Sequence, residues 1–337
     1  MSEITKVILD AMGGDHSPGE MVLGAVNAVK EKEDLFIYIV GKENAITEAL
    51  SQYTYPKEQI EIVPANDEIT CHDAPVVAIK QKKESSMVVG LRMLKEGKAD
   101  GFISAGNSGA LLVGGQVIVG RMKGIERAPL APIVPTINGV CLLIDCGANV
   151  DARASHLVQF AKMGSIYMEH VVGVKNPRVG LVNIGAEEEK GNALVKETFP
   201  LLKECHDINF IGSLEARDFP YGAADVAVTE AFVGNVMLKT TEGLASALIK
   251  KVKEGMTATP ISTIGAAIVK PQLKKTLKTF DATEHGGAPL LGLNHLVVKI
   301  HGNATNKEVK NAIFQVETFK KQDINAKIRE HLVENAE

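Results

Sequence analysis

The chain has no tryptophan, and aromatic residues make up only 4% of its 337 residues. Platforms on which nucleic-acid bases stack are therefore not expected. A surplus of positive charge is also missing. The formal net charge of −4 argues against a dedicated nucleic-acid binder, so no nucleic acid is expected among its partners. The four cysteines, Cys71, Cys141, Cys146 and Cys205, form no Cys-x-x-Cys pair and read as core or near-surface thiols of a reducing cytosol. No apolar run reaches the ~18 residues of a membrane-spanning helix. The N-terminus enters a strand at Val7-Ile8-Leu9 with no signal-peptide pattern, so a cytoplasmic protein is expected, attached at most to the inner face of the membrane.

Several catalytic signatures are absent as well. No Gly-x-Gly occurs, which removes the dinucleotide fingerprint. No Gly-x-Ser-x-Gly elbow presents a serine nucleophile. No His-x-x-x-His or comparable spacing accompanies the acidic clusters, so no metal site is expected.

What is present is an alternation of apolar strands and helices. Strands are expected at Lys6–Leu9, Leu35–Val40, Ile60–Val63, Gly101–Ser104, Val140–Ile144, Val179–Ile184, Ile208–Ile211 and Val226–Val228. Helices are expected at Pro18–Lys30, Asn44–Ser51, Ser86–Gly97, Ala110–Val119, Ser155–Val171 and Lys190–Lys203. Strands rich in Val, Ile and Leu, separated by helices, predict a mostly parallel sheet covered on both faces, an αβα sandwich. With no Pro/Gly/Ser-rich linker, residues 1–337 read as one α/β domain.

Ligands of such sheets sit beyond the carboxyl ends of the strands. Five expected strand ends carry glycine beside Asn, Asp or Lys: Asp10–His16, Ser104–Gly109, Asp145–Asn149, Asn183–Gly191 and Thr229–Asn235. Read as ends of one sheet, they predict a polar cleft rich in backbone donors. In the central stretch Ile103–Leu112, a strand, a small-residue turn and a helix N-terminus together suit an anion. No lysine follows its glycines, so it is not a nucleotide P-loop. Amides, Asn, Ser and one placed lysine suit a phosphate-type ligand or the oxyanion of acyl transfer.

In this order, the blocks resemble the acyl-acyl carrier protein:phosphate acyltransferases over nearly the whole chain. The resemblance is carried by Asp10–Asp15, Lys82–Met87, Ser104–Ala110, Gly147–Val150, Asn183–Gly185, Glu189–Asn192, Glu215–Asp218, Phe232–Val236, Leu238–Gly243 and Gly286–Ala288. Glu230-Ala231, Ala186 and His285 depart from the family's usual residues. The resemblance implies transfer of a long-chain acyl group from acyl carrier protein to inorganic phosphate, giving acyl phosphate for phospholipid synthesis. It also implies a fold related to phosphotransacetylase and isopropylmalate dehydrogenase, a homodimer, and neither organic cofactor nor metal. A downstream acyl phosphate:glycerol-3-phosphate acyltransferase becomes a candidate partner. Phosphate is already nucleophilic, so the enzyme need only position it and stabilise charge.

On that reading phosphate falls to Ser104, Gly106, Asn107, Ser108 and Gly109, and Asn149, Asn183 and Gly185 are expected among the substrate- and phosphate-binding residues. Lys190 is expected to neutralise phosphate or the oxyanion, and Asn235 and Asn149 to donate amide hydrogens. Asp10 and Asp145 orient donors or act as a base. Alternatives are a short-chain phosphotransacetylase using a coenzyme A thioester, and a non-catalytic membrane-surface scaffold.

Residues 236–280 read as a protruding helix, apolar loop and helix. The two helices are expected at Val236–Lys253 and Lys270–Phe280, the second begun by Pro271. The connector carries no charge and holds Ile261, Ile264, Ile268 and Val269 between lysine-rich stems. Such a tip suits a membrane surface, with a dimer interface or docking of acidic acyl carrier protein as the other readings.

Overall fold

A computed structural model describes residues 3–332. The chain runs through β1 (Thr5–Asp10), α1 (Gly19–Glu31), β2 (Leu35–Gly41), α2 (Glu43–Ser51), β3 (Ile60–Pro64), α3 (Pro75–Gln81) and α4 (Ser86–Lys95). It continues with β4 (Gly101–Ser104), α5 (Ser108–Gly114), β5 (Ile133–Thr136), β6 (Gly139–Ile144), α6 (Ala154–Tyr167) and β7 (Arg178–Asn183). Next come α7 (Ala193–Lys203), β8 (Asn209–Glu215), β9 (Val226–Val228), α8 (Ala231–Met256) and α9 (Pro260–Lys278). The last elements are β10 (Ala288–Leu290), β11 (Leu296–Lys299), α10 (Asn306–Lys321) and α11 (Ile324–Leu332).

These elements form two compact units. The first comprises the chain up to Pro132, Lys162–Asn176, and the chain from Thr283 onward. Its sheet has the order β10-β11-β4-β1-β2-β3, parallel except for β10. Val7, Ile8 and Leu9 of β1 are fully buried, as the middle of a sheet covered on both faces requires. Close packing of α1 on α10 is set by Gly24, where an added Cβ would lie 2.5 Å from Val309. Tyr167 is buried here, and its hydroxyl accepts from Gln315 Nε2 at 2.7 Å. Burial pushes that phenol up to about 12.

The second unit comprises Ile133–Ala161 and Pro177–Ala282. Its sheet has the order β5-β6-β9-β7-β8, with only the β5–β6 pair antiparallel. Cys141, Leu143, Val182, Leu214 and Ala227 form a core on which Val233, Met237 and Leu238 of α8 pack.

The expected class, mostly parallel sheet flanked by helices, is the observed one, but the single expected sheet is two. The five polar strand ends divide between them. β1 and β4 lie side by side in the first sheet, whereas β9 lies between β6 and β7 in the second. Strands β5, β10 and β11, of 4, 3 and 4 residues, lie outside the expected set.

The segment 236–280 also differs from expectation. Its apolar residues are not in a loop. Ile261, Ile264, Ile268 and Val269 lie within α9, a continuous helix in which Pro271 is internal. Thr259 caps that helix through a reciprocal pair with Ser262, and Pro260 occupies its first turn. Nothing in α9 is buried.

Candidate active site

In the first unit, neighbouring parallel strands bring Asp10 and Ser104 to the same sheet edge. Both are buried. The Ser104 hydroxyl donates to Asp10 Oδ2 at 2.7 Å and accepts from the Gly106 N–H at 3.0 Å. Asp10 Oδ1 accepts from Met12 N–H at 3.1 Å. The two turns touch closely: a Cβ on Gly13 would lie 2.6 Å from the Gly106 nitrogen. Only glycine permits that approach. Burial raises the Asp10 carboxyl above its ordinary value, against hydrogen bonds from Ser86 and Ser104 that lower it.

Asn107 is committed elsewhere. Its Oδ1 caps α5 by accepting from Ala110 N–H at 3.0 Å, and its Nδ2 donates to the carbonyls of Thr70 and Asp73 at 2.9 and 3.1 Å. A phosphate role for this side chain would therefore break bonds that hold the turn. Beside it, Lys82 binds Asp73 at 2.8 Å and holds that carboxyl down at about 2.

Sequence reasoning missed Lys299. It ends β11, the other neighbour of β4, and its Nζ donates to the Ala105 carbonyl at 3.1 Å. Its charge acts on Asp10. The available signal was faint: a lysine closing the short apolar run Leu296–Val298.

In the second unit, β6, β9 and β7 align Asp145, Thr229 and Asn183 at one edge. Asp145 is fully buried. Its Oδ1 accepts from Ala148 N–H at 3.2 Å, and its Oδ2 accepts from the backbone and side-chain amides of Asn149, both at 2.8 Å. It thereby folds the turn that follows β6, in which Gly147 takes φ +107°. Helix α8 begins directly against this turn: a Cβ on Gly234 would come within 1.9 Å of the Asp145 carbonyl oxygen. Asn235 lies next to Gly147, on the helix and not in a turn as its glycine neighbour had suggested. Glu230 caps α8, accepting from the N–H groups of Phe232 and Val233 at 2.6 and 2.9 Å.

Asn183 organises the turn after β7. Its Nδ2 donates to the Lys190 carbonyl and to Ser213 Oγ, both at 3.1 Å, and its Oδ1 accepts from Ile184 N–H at 2.8 Å. Lys190 lies in this loop, before α7 and not within it. Its Nζ pairs with Glu187 at 2.7 Å while the side chain stays 48% exposed. The Glu187 carboxylate raises the lysine above its ordinary value. The lysine stem crosses Gly185, where a Cβ would lie 2.6 Å from Lys190 Cδ.

The turns after β7 and β9 also rim an open cavity of about 490 Å³ bordered by α6, β7, β8, α7 and α8. Neither buried thiol is a ready nucleophile, because burial pushes Cys141 and Cys146 up. No cluster of three or more His, Cys, Asp or Glu suited to a metal occurs among the described residues.

The fold is that of the phosphotransacetylases. A phosphotransacetylase from Streptococcus pyogenes superposes with a TM-score of 0.63 at 17% identity, over 95% of each chain. The EutD phosphotransacetylase from Staphylococcus aureus gives 0.59 at 17% identity, over 94% of each. Among relatives by sequence, the phosphate acyltransferase of Alkaliphilus oremlandii is 50% identical, over 98% of this chain and 96% of that protein. That of Clostridium novyi is 47% identical, over 97% and 98%. With residues 5–327 matching the family model described as "Fatty acid synthesis protein", the chain belongs to the phosphate acyltransferase family. It is thus an acyltransferase of lipid synthesis, which sets aside the scaffold reading.

Proposed function

We propose that this enzyme transfers a long-chain acyl group from acyl-acyl carrier protein to inorganic phosphate. A phosphate oxygen attacks the thioester carbonyl, the C–O bond forms, the C–S bond breaks, and the thiolate of the carrier leaves and takes up a proton. The observation that carries this reading is the aligned edge of β6, β9 and β7, where a charged lysine and amide side chains stand on turns built by buried Asp145 and Asn183. Preorganised donors of this kind stabilise a developing oxyanion without any enzyme nucleophile.

Within the first unit, the turn Ser104–Gly109 is assigned to phosphate. Ser104 and Gly106 shape it, and Ser108 and Gly109 open α5, with Asn107 holding the turn as its cap. Within the second unit, Lys190, Asn235 and Asn149 are assigned to the carbonyl charge, Asn183 and Gly185 to the loop that presents Lys190, and Asp145 to the orientation of Asn149.

Helices α8 and α9 support a second element of the proposal, peripheral contact with a membrane. Ile261, Ile264 and Ile268 are 84%, 65% and 75% exposed and lie on one helix with Val269. Among the described residues no helix is long and apolar enough to cross a membrane, so contact would be interfacial. The same helices are the place for a homodimer contact. The acyl phosphate made would pass to an acyl phosphate:glycerol-3-phosphate acyltransferase.

Incubation with palmitoyl-acyl carrier protein and labelled phosphate tests the reaction. Labelled, hydroxylamine-sensitive acyl phosphate is expected. Activity with acetyl-coenzyme A and none with the palmitoyl donor would instead establish a short-chain phosphotransacetylase.

A further inference from the structure

We infer that the cavity between α7 and α8 is the seat of the fatty-acyl chain of the donor. The inference rests on the acyl-transfer reading and adds to it where the chain lies. The cavity's floor is aliphatic and buried: Leu157, Leu181 and Val182. Leu194 and Val195 of α7 and Val233 and Met237 of α8 line it as well. No aromatic residue lines it, so it offers no flat face for a ring or base to stack on. Its volume of about 490 Å³ lies within the range of about 300–1,000 Å³ typical of small-ligand sites.

The polar groups lie at one end. Asn183, Gly191 and Asn192 of the turn after β7, which also carries Lys190, line the cavity together with Thr229 and Glu230 of the turn after β9. The mouth is wet: Arg217, paired with Glu215 at 3.0 Å, is 77% exposed on its side chain, and Ile184 is 80% exposed. A ligand matched to this outline has a reactive polar head at the strand ends and an unbranched alkyl tail running inward. Flexible, unbranched Met237 on one wall accommodates tails that vary in length. An acetyl group would leave nearly all of this aliphatic surface uncovered, whereas a long acyl chain removes it from water.

The test uses the full chain and a diazirine-bearing analogue of palmitate. Irradiation is expected to label peptides spanning 181–195 and 229–237, and excess palmitate to suppress the label. Label confined to other segments, such as the exposed face of α9, or label that palmitate does not suppress, overturns the proposal. Two plugging variants, Val195→Trp and Met237→Trp, act from different helices. Each methylene kept out costs about fourfold in affinity, so a plug displacing two lowers cis-parinarate affinity by about tenfold or more. Folded variants that bind with unchanged affinity overturn the proposal. The reaction is judged separately. If neither palmitoyl nor acetyl donor yields acyl phosphate, the transfer reading fails, while the labelled peptides still decide whether the cavity holds an acyl chain. If the transfer occurs, each plug should lower kcat/KM for the palmitoyl donor by about tenfold or more and leave a short-chain donor unaffected; equal loss on both donors overturns the assignment of the cavity.

Discussion

At the scale of single residues, the candidate site combines buried groups that hold turns with exposed polar groups. Lys190 and Asn235, proposed here to meet the carbonyl charge, are of the second kind. Replacing either by alanine should lower turnover about 10²–10³-fold, as loss of one oxyanion donor does, with folding intact by circular dichroism. Near-normal turnover in both would remove them from the reaction. Gly234 is of the first kind. The Cβ of Gly234→Ala would meet the Asp145 carbonyl oxygen at 1.9 Å, so helix or turn must shift. A loss of at least about 1–3 kcal/mol in urea unfolding is expected, as for overpacked cores.

Asp10 shows how burial couples to pH. Its raised carboxyl favours the protonated form in the folded state relative to the unfolded value near 3.8. Its contribution to stability is thus complete below that value and is lost as pH rises through the raised folded value. Asp10→Asn keeps an oxygen to accept from Ser104 and carries no charge to bury. Its urea midpoint should therefore fall less than that of the native protein between about pH 4 and pH 7. Parallel profiles would show that Asp10 carries no such penalty.

At the scale of elements, α8 and α9 are the clearest case of a pattern legible in composition and misread in conformation. The charge-free stretch from Gly255 to Val269 and its lysine flanks stand out in the sequence. Pro271 suggested a helix start, because proline is favoured in a first turn. In the structure that place belongs to Pro260, behind the Thr259–Ser262 cap, and the helix runs on through Pro271. The consequence is physical: as one helix, α9 holds its three isoleucines at spacings of three and four residues, a stripe in place of a flexible tip. Inserting each gains roughly 1.5–3 kcal/mol before ordering costs. The triple variant Ile261→Ser, Ile264→Ser, Ile268→Ser should therefore lose anionic-vesicle binding at least about hundredfold while melting like the native protein. Unchanged flotation would end the membrane reading.

At the scale of the whole molecule, strand-end chemistry was legible because each turn carries its own glycines, whereas the partition into two sheets was not. Strand order is decided by long-range pairing: β9 inserts between β6 and β7, and β11 pairs with β4, although these partners are far apart in sequence. Local periodicity contains no record of those choices. Charge distribution, by contrast, is readable at this scale. A chain of net charge −4 concentrates Lys250, Lys251, Lys253, Lys270, Lys274, Lys275 and Lys278 on α8 and α9. An acidic carrier protein would be drawn to such a patch from beyond contact, and long-range attraction is what salt removes first. Raising ionic strength from about 0.01 M to about 0.15 M shortens the screening length from about 30 Å to about 8 Å. The KM for acyl-acyl carrier protein should then rise about tenfold, with kcat unchanged. Lys274→Glu, Lys275→Glu and Lys278→Glu together should raise KM at low salt and flatten its salt dependence. A KM indifferent to salt and to these three reversals would assign the lysines to the membrane alone, where anionic lipid, not carrier protein, answers their charge.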